Sequence, residues 1–238
     1  MYVLTCWDGG TILPPVTQLV QEQLVDELVA GGHALHRAGL VTAFGHVSCR
    51  TDNDRLLITP PTPLGRLTPE STWTELNLGA DGLPTGVPRE AWIHLAIARR
   101  RPEVGAICRA QPPTATALAS ARVPIVALHG QGAFLGPQIP VFDDAVLVRD
   151  QARGDALAEQ LGQAPALLLR GNGAVTIGAD IGEAVARMWV LEASAHLNSI
   201  AAAAGTPTPL SDDEQAAWRA VAGEILARIW ADLRHPPA

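Results

Sequence analysis

The run RPEVGAICRAQPP, residues 101–113, decides how the middle of this chain folds. Pro102 ends the helix before it, because proline lacks the amide hydrogen that a helix interior needs. The apolar residues at 104–108 then predict a short buried strand. The double proline that closes the run predicts the start of another helix, since proline suits a first helical turn. Arg109 and Gln111 therefore follow directly after a buried strand.

Helices and strands alternate on both sides of this run. Apolar residues at helical spacing, with proline and glycine stops, predict helices at 16–37, 88–101, 114–120, 150–161, 181–204 and 211–233. Short apolar or alternating runs predict strands after Gly45 up to residue 50, and at 55–59, 73–78, 104–108, 125–128, 140–142, 166–169 and 174–177. No low-complexity linker or internal repeat divides this pattern, which favours one α/β domain built on a central sheet.

The composition fits a folded protein and narrows the classes of partner. Hydrophobic residues make up 47% of the chain and charged residues 17%, which argues against disorder. The formal net charge is −7, and no basic stripe extends beyond residues 99–101, so we expect no nucleic-acid partner. Apolar stretches too short to cross a bilayer, and a start without a signal-peptide pattern, predict a cytoplasmic protein with no membrane partner.

One residue type is missing, and its absence limits the chemistry. The chain contains no lysine, since all 17 of its Lys and Arg residues are arginine. A Schiff base needs a primary amine on a side chain. Imine catalysis, and pyridoxal phosphate held on a lysine, are therefore excluded.

Polar side chains gather where predicted strands end and helices begin. They are His46 in a turn, Glu90 and His94 four residues apart on one helix face, Arg109 and Gln111 after the central strand, His129, and Asn172 between two strands. Ligands of α/β proteins tend to bind at strand ends. We therefore expect these side chains to line one site.

Several segments, in matching order and spacing, resemble the class II aldolase/adducin family. The run at 101–113 resembles a family segment of the form R-P-D-V-x-A-V that leads into H-x-H and P-P. The other matching segments are GHVSCR at 45–50, LITP at 57–60, Glu90 with His94, LLRGNG at 168–173, and the pairs 183–184 and 191–192. The resemblance runs from about residue 16 to residue 218. It implies one domain over residues 1–238, with an N-terminal extension at 1–15, a tail at 234–238, and a central, mostly antiparallel sheet flanked by helices.

The resemblance also implies a chemistry from which this sequence departs. Family members are usually homotetramers that hold a divalent metal, often zinc, with three histidines, and use a glutamate as acid/base. Glu90 matches that glutamate, but Arg109, Gln111 and Asn172 stand at the three histidine positions. Guanidinium offers no lone pair to a cation, and amide oxygens are poor ligands for zinc. We therefore expect no zinc or other metal cofactor at this point.

The part of the family pattern that binds phosphate is altered as well. Where family aldolases often have S-G and S-S, this chain has Pro61-Thr62 and Pro88-Arg89. Each proline removes a backbone N–H that would donate to a phosphate. The expected substrate is therefore a small carboxylate or carbonyl compound without phosphate.

These departures lead to several hypotheses about function. In the first, the chain is a metal-independent lyase that decarboxylates or cleaves an aldol-type bond. Arg109 anchors the anion, Gln111, Asn172 and His94 assist in binding, and Glu90 acts as acid/base with His46 and His129 as further titrating groups.

The alternatives use the same residues differently. An isomerase or dehydratase would use the same site residues for a different reaction. A non-catalytic, adducin-like or small-acid binding module would need only the anion site. A salt bridge between Arg109 and Glu90 that only fills an inactive metal site would need neither catalysis nor a bound anion. A metal moved to His46, His94 and His129 with Glu90 is a further alternative, and His94 can also be a purely structural hydrogen-bonding residue.

Overall fold

A computed structural model of the chain describes residues 16–235, with side chains from residue 19 onward. The expected extension at 1–15 lies outside the described residues. The helices are α1 (Val16–Arg37), α2 (Trp92–Arg100), α3 (Pro113–Ser120), α4 (Gln151–Leu161), α5 (Ile181–Ala204), α6 (Asp212–Arg219) and α7 (Ala222–Arg234). The strands are β1 (His46–Arg50), β2 (Arg55–Ile58), β3 (Thr74–Asn77), β4 (Ala106–Ala110), β5 (Val141–Phe142), β6 (Ala166–Leu169) and β7 (Gly173–Gly178). Short 3-10 turns lie at Leu64–Arg66, Arg89–Ala91 and Gly130–Leu135.

The strands form one sheet in the order β3-β2-β1-β4-β7-β6-β5. Every pairing is antiparallel except the short one between β5 and β6, which is parallel. The expectation of a single-domain α/β fold with a central, mostly antiparallel sheet is confirmed. Strand β4 lies between β1 and β7, so the run at 101–113 supplies the middle strand of the sheet.

Each face of the sheet is covered by its own helices. Residues of α1, α3, α5 and α7 pack on one face together with Val47 and Cys108. Residues of α2 and α4 pack on the other face together with Ile107 and Val175. Because side chains alternate along a strand, Arg109 of β4 points to the α2 face, as Ile107 does.

Two sequence predictions about elements were wrong. Residues 125–128 do not form a strand. Instead, the side-chain amide of Asn198 bonds to both the N–H and the carbonyl of Val126, at 3.1 Å and 2.9 Å. Pro124 also lacks the N–H that a strand ladder would use. The second wrong prediction is one continuous helix at 211–233, which is split into α6 and α7.

The split between α6 and α7 follows from what each helix packs against. Trp218 of α6 lies so close to Gly130 that a Cβ there would be 2.0 Å from the indole. Helix α7 instead packs against α5 and α1. One straight helix cannot meet both surfaces, and the chain changes direction at Ala220 and Val221. Within residues 16–235, no helix combines the length and apolar character needed to span a membrane.

Candidate active site

A pocket of about 400 Å³ opens where β1 begins and β4 ends. It is lined by Ala43, Phe44, Gly45, His46, Pro61, Thr62, Pro88, Arg89, Glu90, Arg109, Gln111, Leu147, Arg149 and Asn172. We call its two buried polar side chains, His46 and Arg109, the pocket floor. We call four of its exposed residues, Phe44, Arg89, Leu147 and Arg149, the pocket rim.

Arg109 is a buried cation with little compensation from the protein. Its residue is 2% exposed, and its Nη2 donates to the carbonyl and to Oδ1 of Asn172, at 3.1 Å and 2.5 Å. Its Nε is buried and has no hydrogen-bond partner among the described residues. Burial lowers the pKa of Arg109, and the negative charge of Glu90 partly offsets this. The guanidinium stays protonated near neutral pH, because arginine does not lose its proton in proteins at accessible pH.

Asn172 reaches Arg109 because of a tight glycine turn between β6 and β7. Gly171 and Gly173 have φ values of +73° and +88°, a conformation that side chains with a Cβ rarely adopt. A Cβ on Gly173 would also lie 2.1 Å from the carbonyl oxygen of Ala110. Two glycines therefore allow the turn to press against the end of β4, beside Arg109.

His46 lies directly opposite Arg109 in the β1–β4 pairing and belongs to a buried relay. Its Nδ1 is 2.6 Å from Nε2 of His94, and Nδ1 of His94 is 2.6 Å from Oγ of Ser48. Burial, followed by the nearby charge of Arg109, lowers the pKa of His94 to about 3. Burial, with His94 and Arg109 adding to the effect, also lowers the pKa of His46 well below its usual value. Both rings are therefore neutral near pH 7.

Glu90 reaches the pocket from the 3-10 turn that precedes α2. Its side chain is 18% exposed, and its Oε1 lies 4.0 Å from Nε of Arg149. Arg149 comes this close because α4 packs tightly on α2, where a Cβ on Gly154 would be 2.8 Å from the carbonyl of Trp92. No direct salt bridge joins Glu90 to Arg109 in the described part of the chain, so that interpretation of the site is not supported.

The structure brings most of the predicted site residues together. His46, Glu90, Arg109, Gln111 and Asn172 all line the pocket. His94 lies behind it, joined to His46. His129 is outside its lining, where Nε2 is 3.0 Å from Oγ of Ser194 on α5. The roles assigned to all these side chains stay predictions.

Sequence reasoning missed part of the rim. Phe44, 69% exposed, and Leu147 supply apolar contacts, and Arg149 adds a cation. Arg89 was noted only as a departure from the family pattern. No local signal identifies Arg149 or Leu147, because only the packing of α4 on α2 brings them to the pocket.

The donor set at the former histidine positions does not fit a zinc ion. Arg109 presents a cation, and it already occupies Oδ1 of Asn172, one of the two amide oxygens available there. The alternative metal site is not assembled either, because His46 and His94 bond to each other and His129 bonds to Ser194. Among residues 16–235, no group of three or more His, Cys, Asp or Glu side chains is placed to hold a metal.

Comparison with known proteins agrees with this fold. The family model described as "Class II Aldolase and Adducin N-terminal domain" matches residues 26–199. The chain belongs to this family. The match includes β1, β4, β7 and every described residue of the pocket.

Relatives of known activity show the type of enzyme. A 3,4-dihydroxyphthalate decarboxylase from Terrabacter sp. (strain DBF63) is 31% identical over 195 residues, which cover 75% of this chain and 82% of that protein. A protein of the same name from Arthrobacter keyseri is 26% identical, with 76% and 79% covered. Decarboxylases are lyases, so the expectation that this class II aldolase/adducin family member is a lyase-type enzyme is confirmed. The non-catalytic alternative is not supported.

Solved structures of the family show the same architecture. An L-fuculose 1-phosphate aldolase from Glaciozyma antarctica PI12 superposes with a TM-score of 0.78 at 22% identity, covering 94% of each chain. An L-fuculose-1-phosphate aldolase from Thermus thermophilus gives 0.69 at 28% identity, covering 78% of this chain and 99% of the other. The fold extends across almost the whole described chain.

Proposed function

We propose that this protein is a metal-independent decarboxylase of a small, non-phosphorylated aromatic acid similar to 3,4-dihydroxyphthalate. The observation that carries the proposal is Arg109, a buried guanidinium at the pocket floor whose Nε has no hydrogen-bond partner among the described residues. A buried charge with so little compensation is costly unless a ligand completes its environment. The curated relatives add the reaction, since they are named for removing a carboxyl group.

The charges around the pocket suit a substrate with two negative groups. Of the described lining residues, Arg89, Arg109 and Arg149 are positive and Glu90 is negative. With His46 neutral, the pocket has an excess of two positive charges. A dihydroxyphthalate carries two carboxylates, which match this excess. Arginine also binds carboxylates through two parallel hydrogen bonds.

The shape and walls of the pocket suit a single ring. A volume of about 400 Å³ is typical of sites for small molecules. Phe44, Leu147, Pro61 and Pro88 supply apolar contacts around the charged groups. The substrate class therefore combines an aromatic face with carboxylate and hydroxyl groups at its edge.

The geometry supports a division of labour between Arg109 and Glu90. Decarboxylation breaks the bond between the ring carbon and the carboxyl carbon, and carbon dioxide leaves. The electron pair left on the ring carbon takes up a proton, which the Glu90 carboxylate first takes from solvent and then delivers to that carbon. Negative charge that develops on a conjugated oxygen is stabilised by Arg109, whose burial strengthens the interaction. Gln111 and Asn172 orient the substrate by hydrogen bonds.

Turnover and metal content test the proposal together. We expect the purified protein to release carbon dioxide from 3,4-dihydroxyphthalate at the same rate before and after dialysis against EDTA. Glu90→Gln should lower kcat by roughly a hundredfold, the usual range for a general acid. The control Glu159→Gln changes an exposed glutamate on α4 and should keep wild-type turnover.

Three results would overturn the proposal. The first is activity lost in EDTA and restored by zinc. The second is a product that retains both carboxyl groups, which would favour the isomerase or dehydratase alternative. The third is stabilisation by ligand without any turnover, as a binding module would show. The family resemblance further leads us to propose a homotetramer, which light scattering on the purified protein tests.

A further inference from the structure

Two nitrogen atoms on the pocket floor lack hydrogen-bond partners among the residues whose side chains the structure describes. They are Nε2 of His46 and Nε of Arg109, and both are buried. Unpaired buried donors are rare in folded proteins, and each calls for an explanation such as a missing ligand. The two residues face each other across β1 and β4, so both atoms belong to one small region of the pocket.

The relay behind His46 has a preferred direction of hydrogen bonding. Ser48 is fully buried, and its hydroxyl has His94 as its hydrogen-bond partner among the described residues. If Nδ1 of His94 donated to Ser48, the hydroxyl hydrogen would have no acceptor, and a buried unpaired donor costs stability. The hydroxyl of Ser48 therefore donates to Nδ1 of His94. Nε2–H of His94 then donates to Nδ1 of His46.

This direction decides the proton position on His46. A neutral imidazole carries one hydrogen, and the tautomer is set by the bond that the other nitrogen makes. Since Nδ1 of His46 accepts from His94, its hydrogen lies on Nε2, the nitrogen that the relay leaves free. The lowered pKa values of both rings are consistent with a neutral relay.

We propose that Ser48 and His94 are positioning residues that hold His46 as a neutral N–H donor. His46 Nε2 and Arg109 Nε then donate together to one oxygen-bearing anionic group, a carboxylate or a developing oxyanion. Both nitrogen atoms belong to residues that face each other across the β1–β4 pairing, and the described residues supply no acceptor for either. The anion half rests on the proposed function, and the tautomer half does not.

The tautomer half is tested on the ligand-free protein. Histidine labelled with ¹⁵N is examined by long-range proton–nitrogen NMR, with signals assigned through His46→Gln and His94→Gln. We expect the hydrogen on Nε2 of both rings. A hydrogen on Nδ1 of His46 would overturn the proposal.

A matched pair of variants tests the role of Ser48. Ser48→Ala removes the hydroxyl donor, so His46 is expected to populate both tautomers. Ser48→Thr keeps a hydroxyl and is expected to keep the wild-type signals. A single, unchanged tautomer in Ser48→Ala would show that Ser48 does not set it. If Ser48→Ala does not fold, the wild-type tautomer and the Thr variant still decide the question.

The anion half is tested with phthalate as the probe. Ser48→Ala is expected to raise the Kd for phthalate about three- to tenfold, the typical effect of one hydrogen bond. In a His46→Gln background, where the amide donates without tautomers, Ser48→Ala should cause no further change. An equal loss in both backgrounds would overturn the relay mechanism. No phthalate binding by the wild type would overturn the anion half with the proposed function, while the NMR result separately decides the tautomer.

Discussion

The floor and the rim of the pocket use similar charges under different conditions. On the floor, Arg109 is 2% exposed and keeps an unpaired Nε, whereas on the rim the side chain of Arg149 is 45% exposed and lies 4.0 Å from Glu90. Interactions between charges strengthen as water is excluded and weaken through screening where it is not. The same residue type is therefore expected to control chemistry on the floor and to tune binding on the rim.

The largest effect is expected on the floor. Arg109→Met should lower kcat/KM for the aromatic acid by roughly a hundred- to a thousandfold, as the loss of a buried oxyanion donor does. The melting temperature should change little, because relief of charge burial offsets the lost bonds to Asn172. Steady-state kinetics and thermal unfolding measure both.

The matched control for Arg109→Met is Arg170→Met. Arg170 is an arginine outside the pocket lining, paired with Asp143. It should keep wild-type kcat/KM. Similar losses in the two variants would remove the distinction between floor and surface.

The next effect concerns His94, the neutral histidine behind the floor. The pKa of His94 falls from 6.5 to about 3 on folding. As the pH drops below 6.5, His94 is protonated in the unfolded chain but stays neutral in the folded chain. The free energy of unfolding should therefore fall by up to about 1.4 kcal/mol per pH unit from this group, and should not depend on it above that range.

His94→Gln provides the comparison for this pH dependence. Urea unfolding of both proteins between about pH 7 and about pH 5 should give a shallower pH dependence for the variant. The pKa of His46 is also lowered by folding, so the variant keeps part of the pH dependence of its free energy of unfolding. Parallel curves for the two proteins would mean that His94 is not held neutral by burial.

A smaller effect is expected on the rim. Arg89→Ala should raise KM about three- to tenfold with kcat nearly unchanged, because an exposed cation attracts the anionic substrate without touching the reacting bond. The increase should shrink at high salt, since exposed charges are screened. Kinetics at low and high sodium chloride measure this. A drop in kcat without a change in KM would place Arg89 with the floor instead.

The smallest effect is expected one residue away from Arg109, on the opposite face of the sheet. Burial raises the pKa of the Cys108 thiol to about 12, so it is an unreactive core group. Cys108→Ala should lower the free energy of unfolding by about 1 kcal/mol, through the lost sulfur volume, and leave turnover unchanged. A large loss of turnover would show that the two faces are not independent.

Most of the fold was predictable because its patterns are local. The α1 and α5 boundaries, the β1–β2 hairpin and the capping box at Ser211 all follow from spacing and from residues close in the chain. The strand predicted at 125–128 failed because Asn198, far along the chain, bonds to its backbone instead. The single final helix failed because α6 and α7 pack on different partners.

The candidate site was predictable where it follows the family pattern. The resemblance identified Glu90, Arg109, Gln111 and Asn172, and the structure places all of them on one pocket. It did not reveal Arg149, which reaches Glu90 through the packing of α4 on α2. The use of Ser48 as the end of a relay was also hidden, because its partner His94 lies on a different element.

By itself, the sequence determined which chemical groups this protein has: no lysine, and a guanidinium with two amides at the three positions where the family resemblance implies histidines. Those are properties of side chains, and they do not depend on how the chain folds. Only the tertiary structure decided which groups are buried and which nitrogen atoms remain unpaired. Burial and pairing depend on contacts between residues far apart in the chain, and they separate the strong charge on the floor from the screened charges on the rim.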